Sequence, residues 1–94
     1  MDLDWVTISG VRDDHEVRLF TLSTCGHCKR VKNLMKEMGS SYKYVDVDLC
    51  SRQEKREITE FLRENDLPLS FPVVIIDDEI IIGNKEQEII ELLK

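Results

Sequence analysis

Two cysteines three residues apart, Cys25 and Cys28, enclose Gly26 and His27, and a periodic apolar stripe begins inside the pair. Cys28, Val31, Leu34, Met35 and Met38 step by three or four residues, the period of a helix. Cys25 therefore stands where a helix starts. Unpaired backbone N–H groups and the helix dipole favour an anion there, which stabilises the Cys25 thiolate. A thiolate is the attacking species in disulfide exchange. Cys28, one turn on and on the same face, can resolve a mixed disulfide formed at Cys25. It belongs to the apolar stripe, so it is expected to be the more buried thiol. The expected chemistry is reduction of a disulfide by dithiol exchange, with Cys25 as nucleophile and Cys28 as resolving thiol. His27 can carry charge near neutral pH and would then favour the thiolate beside it. Lys29, four residues after Cys25, is close enough on a helix for its charge to reach the sulfur. A solvated surface position is the plain alternative for both.

Metal binding is the main rival use of such a pair. Structural zinc takes four Cys or His ligands at close spacing. Beyond the pair only Cys50, His15 and His27 remain, and none forms a second paired knuckle. Neither a metal nor another cofactor is expected. A carrier of metal or an iron–sulfur cluster, using Cys25, Cys28 and a third ligand, is the alternative. Cys50 reads as a small hydrophobe in packing, with a regulatory disulfide as its alternative.

The surrounding elements must hold the pair in place. Trp5 to Ser9 is a short β-prone run closed by Gly10, and Val17 to Leu22 is a second strand. The helix runs from Gly26 to Met38, and Gly39 stands just past its end, where helices favour glycine. Tyr42 to Val47 alternates in the manner of a strand. Ser51-Arg52-Gln53-Glu54 has capping-box spacing and opens a second helix to about Asn65. Pro72 to Ile76 is an apolar run of strand length, Asp77-Asp78 a turn, and Glu79 to Ile82 a return strand. Asn84 can cap a last helix lined by Ile89, Ile90, Leu92 and Leu93. The first helix joins Val17–Leu22 to Tyr42–Val47 as a right-handed crossover between parallel strands. The last two strands form an antiparallel hairpin. The expected fold class is α/β: a four-stranded mixed sheet with helices on both faces, plus a short N-terminal strand. Val17–Leu22 is expected at its centre.

Composition narrows the partners. Lys and Arg number 13 against 19 Asp and Glu, a net charge of −6, so a non-specific grip on nucleic acid is not expected. Lys29, Arg30, Lys32 and Lys36 read as the solvated face of the first helix, with a docking patch for an acidic reductase as the functional alternative. Trp5, Tyr42 and Tyr44 read as strand packing. The longest apolar run, Phe71 to Ile76, is far short of a membrane span. The first fifteen residues carry Asp2, Asp4, Asp13 and Asp14 and no apolar stretch, against a secretory signal. A single domain over 1–94, with 1–15 as an N-terminal extension, and a monomeric, cytoplasmic protein are expected.

From Glu16 to Lys94 the chain resembles a glutaredoxin-type member of the thioredoxin superfamily. The features that carry the resemblance are the strand ending in Thr24, the Cys25/Cys28 pair, Ser70-Phe71-Pro72 before a strand, and Gly83 opening the last helix. The resemblance implies a thioredoxin-like fold, a cis Pro72, and Phe71 as a residue whose backbone docks the substrate, with Gly26, His27 and Gly83 beside it. It implies disulfide-containing substrate proteins as partners and an upstream reductase or a small thiol as donor. A non-catalytic adaptor that binds partners through the Phe71–Pro72 face is the other alternative. Three departures bear on the donor. Leu22 stands where dithiol glutaredoxins usually have a lysine, Ser70-Phe71-Pro72 replaces Thr-Val-Pro, and Ile82 to Glu86 lacks the usual acidic pair. Glutathione is therefore expected to be a poor donor.

Overall fold

The structure, a computed structural model, describes residues 3–94. Residues 1 and 2, the start of the expected extension, lie outside the described residues. The centre of the fold is β2 (Val17–Thr21), in which all but Arg18 are buried. β3 (Tyr42–Asp46) runs parallel to it, and β4 (Val73–Ile76) lies antiparallel on its other side. β5 (Glu79–Ile82) completes the antiparallel hairpin with β4. The short N-terminal strand, β1 (Val6–Ile8), joins the same sheet as its fifth strand and edge, antiparallel to β3, in the order β1-β3-β2-β4-β5.

The strand alternation sends neighbouring side chains into different cores. Leu19 packs with Val74, Ile76 and Ile81 under α1 (Gly26–Glu37) and α3 (Glu86–Leu93), which contribute Val31, Met35, Ile89 and Leu93. Phe20 packs with Val45, Val73 and Ile75 on the opposite face, under Ile58 and Leu62 of α2 (Arg52–Glu64). Leu3 and Trp5 join this second cluster, so residues ahead of β2 are built into the fold. No helix among the described residues is long and apolar enough to cross a membrane.

The helix ends follow local chemistry where it is present. Ser51 Oγ accepts the Glu54 N–H at 3.1 Å, and Glu54 Oε1 accepts the Ser51 N–H at 2.9 Å, the reciprocal pair expected at the start of α2. Gly39 sits at φ +67 just past α1, in the left-handed region that stops a helix. Gly10 is fixed by close approach: a Cβ there would lie 2.5 Å from the Gly39 carbonyl oxygen. Arg12 then donates its N–H to that oxygen at 2.8 Å, tying the N-terminal segment to the end of α1. The start of α3 differs from the sequence expectation. Its N-cap is Lys85, with no side-chain cap, and Asn84 lies one residue too early to serve. Gly83 likewise precedes the helix instead of opening it.

At the end of the sheet away from β2's C-terminus, the β4–β5 turn is tied to the chain entering β2. Asp77, at φ 54, bonds His15 Nδ1 at 2.8 Å and accepts the Glu16 N–H at 3.0 Å. The His15 bond first, and the Glu16 N–H second, hold the Asp77 carboxyl below its ordinary pKa. A carboxyl lowered in the folded state stabilises above its unfolded pKa, and that contribution disappears as pH falls through the folded value. Asp77→Asn keeps a residue that tolerates the left-handed turn but removes the titration. Its melting temperature should vary less than that of the parent chain from about pH 5 to about pH 2. Parallel melting curves over that range would contradict this.

Candidate active site

β2 ends at Thr21, and Leu22, Ser23 and Thr24 turn the chain into α1. The turn closes through the Cys25 N–H on the Leu22 carbonyl at 3.2 Å. Cys25 is the N-cap of α1, with extended backbone (φ −87, ψ 118), and its Sγ accepts the Cys28 N–H at 3.3 Å. A sulfur thus occupies the place usually taken by a Ser, Thr, Asp or Asn oxygen. Cys25 is half-buried, Gly26 and His27 are exposed, and Cys28 has no exposed surface. Both thiols are free.

The two sulfurs are driven apart in acidity. Burial opposes charge on Cys25, but hydrogen bonds from Cys28 and the His27 N–H, together with the Lys32 charge, outweigh it and lower the pKa. Burial pushes the Cys28 thiol up to about 12, and its hydrogen bond to Cys25 adds to the rise. The cation that acts on the pair is Lys32, whereas Lys29, the candidate by spacing, takes its alternative as an exposed surface residue. Lys32 also leaves the solvated face assigned to it: its Nζ lies 3.7 Å from the Tyr44 ring centroid and 3.6 Å from Asp46 Oδ1. Asp46 in turn accepts the buried Thr21 hydroxyl at 2.6 Å. The spacing carried a signal for this. Lys32 is seven residues after Cys25, two helical turns, and so returns to nearly the same azimuth.

β4 brings the second half of the site. Phe20 pairs with Val73, so Pro72 lies one step beyond, beside the end of β2. The Phe71–Pro72 peptide bond is cis, Phe71 is half-buried and Pro72 is buried. Gly83 belongs to the same end of the sheet, but its N–H is already donated to the Pro72 carbonyl at 2.8 Å. That N–H is therefore not free to bind a ligand. Cys50 is half-buried against the α2 side and donates its thiol to the Asp46 carbonyl at 3.4 Å. Burial first, and then Glu54, raise its pKa, which suits a packed thiol more than a reactive one. Among the described residues, no three His, Cys, Asp or Glu side chains gather in a group fit to hold a metal ion.

A mixed sheet of this order, with a cysteine pair at the first helix start and a cis-proline beside the end of the strand leading to it, defines a thioredoxin-superfamily thiol protein. The glutaredoxin family model matches residues 17–81. The glutaredoxin of Methanosarcina mazei Go1 is 40% identical, covers 95% of this chain and 86% of its own, and superposes with a TM-score of 0.80. Methanoredoxin of Methanosarcina acetivorans is 36% identical over 89% of this chain and 88% of its own, with a TM-score of 0.77. A glutaredoxin-like 8.6 kDa protein of Clostridium pasteurianum is 28% identical over 83% of this chain and 97% of its own. The chain belongs to the glutaredoxin family, whose fold supports chemistry of the thiol–disulfide oxidoreductase type.

Proposed function

We propose that this chain reduces disulfides in substrate proteins by dithiol exchange, as a monomer in a reducing cytoplasm. The observation that carries the reading is the contrast between the capped, half-buried Cys25 and the fully buried Cys28 directly beneath it. The Cys25 thiolate attacks one sulfur of the substrate, the substrate S–S bond breaks, and the released sulfur leaves as a thiolate. Cys28 then gives up its proton and attacks Cys25 Sγ. The mixed disulfide breaks, the second substrate thiolate departs, and Cys25–Cys28 becomes the disulfide. Two electrons have passed to the substrate, and an external dithiol donor returns them. Gly26 and His27 form the exposed lip at which the substrate arrives, and the Phe71–Pro72 segment docks it, with Gly83 bracing that segment through the Pro72 carbonyl.

A glutathione site must hold two carboxylates, with cations or free N–H groups as the usual means. Leu22 removes a cation beside Cys25, and Gly83 has spent its N–H on Pro72. One lost charge-assisted hydrogen bond is typically worth about 1.5–3 kcal/mol, or roughly 10–100-fold in affinity. In a donor panel with one model protein disulfide, glutathione should therefore turn the chain over slowly. A flavin-dependent or ferredoxin-linked protein reductase should do better, and Leu22→Lys should raise the glutathione-dependent rate. Saturation by low-millimolar glutathione at rates matching a protein donor would defeat the donor assignment. Failure of every donor, with both thiols reduced, would defeat the oxidoreductase reading itself.

A further inference from the structure

The turn between β2 and α1 carries Cys25, and its one apolar anchor is Leu22, packed against the second core cluster. Leu22 and Ser23 are half-buried and Thr24 is exposed. Its own backbone closure is the 3.2 Å Cys25 N–H bond to Leu22. What fixes it from outside is a carboxylate two residues past the end of β3. Asp48 lies in the single 3₁₀ turn Val47–Leu49, with one oxygen accepting the Ser23 N–H at 2.8 Å and the other accepting the Ser23 hydroxyl. Both oxygens of one carboxylate are thus committed to one residue of the turn, 25 positions away in sequence.

We propose that Asp48 is a positioning residue for the reaction: by gripping Ser23 at two points it holds the β2–α1 turn so that Cys25 stays in capping geometry over the Cys28 N–H. This rests on the assignment of Cys25 as nucleophile. Ser23 lowers the Asp48 pKa, through its hydroxyl first and its N–H second, consistent with a carboxylate engaged in the turn. The charge of Asp48 acts the other way. A negative group near a thiolate disfavours it, so a purely electrostatic Asp48 would raise the Cys25 pKa. The two roles therefore predict opposite signs when the carboxylate is removed. The other groups bearing on this corner are Lys32 and Cys28 of α1, which act on Cys25, and Lys55 of α2, which acts on Asp48.

The test is the pH profile of iodoacetamide alkylation at Cys25 in the fully reduced chain, read by peptide mass so that Cys28 and Cys50 do not contribute. Asp48→Ala loses both bonds, and its inflection should rise by half a unit to one unit, slowing alkylation at pH 6.5 by about 3–10-fold. Asp48→Asn keeps an acceptor for the Ser23 N–H and a partner for its hydroxyl without the charge, and should react at least as fast as the parent. Ser23→Ala, which loses only the hydroxyl bond, should fall between the parent and Asp48→Ala, with unchanged far-ultraviolet dichroism in all three. An Asp48→Ala inflection equal to or below that of the parent overturns the proposal. So does an Asp48→Asn inflection raised as far as that of Asp48→Ala. Either result leaves a low parent inflection in place, whereas a parent inflection near the ~8.5 of a free thiol strikes the nucleophile assignment instead.

Discussion

Cys28→Ser should accumulate covalent complexes with substrate proteins through Cys25, and Cys25→Ser should accumulate almost none. The mixed disulfide is the intermediate of the exchange, and without Cys28 the only groups left to break it come from solution. The reverse variant leaves a thiol with no exposed surface, whose pKa burial still raises once Cys25 is gone. At neutral pH its thiolate fraction is then well below that of a free thiol, before access is counted. Turnover of a model disulfide should fall by roughly 100-fold or more in Cys25→Ser. Denaturing, non-reducing gels of cell extracts carrying each variant distinguish the two. If Cys25→Ser is the better trap, the roles are exchanged.

A second large effect should appear without any substrate. At pH 6.5 the thiol of Cys28→Ser, which retains Cys25, should react with iodoacetamide at least about 100-fold faster than Cys28 in Cys25→Ser. Substituting Cys25 removes its hydrogen bond and charge from Cys28 but not the burial, which is the larger cause of the raised pKa. Substituting Cys28 leaves its backbone N–H in place, and that N–H is the group that caps Cys25 at 3.3 Å. The asymmetry therefore survives in the single variants. Equal rates at pH 6.5 would mean that neither the helix start nor burial separates the two thiols.

Where the determinants are local, the sequence announces them. Ser51 and Glu54 cap α2 within one turn, Gly39 ends α1 through its own backbone, and the Cys28–Met38 stripe needs only helical period. The position of the thiol pair at a helix start follows from the same pattern. What could not be read locally is what depends on distant partners. β1 finds its place by pairing Val6 with Tyr44 and Ile8 with Tyr42, contacts across more than thirty residues. The grip of Asp48 on Ser23 and the Asp46–Lys32 pair likewise join separate elements. Lys29 was a reasonable candidate by spacing alone. Once α1 packs on the sheet, Lys32 is the lysine drawn over Tyr44, toward the thiols. At α3 a good capping residue was present in Asn84, but the Gly83 N–H bond to Pro72 belongs to the preceding hairpin and the helix begins only at Glu86.

The split of Leu19 and Phe20 between two cores also bears on how the molecule breathes. Because adjacent residues of β2 anchor opposite layers, neither layer can detach without disturbing the strand that leads to Cys25. Local opening therefore belongs to the periphery, where the three exposed residues of β1 bind only one neighbour. The strand that leads to the nucleophile lies at the centre of the sheet, two strands in from that edge. Opening at that rim is expected to leave the spacing of the two sulfurs in place.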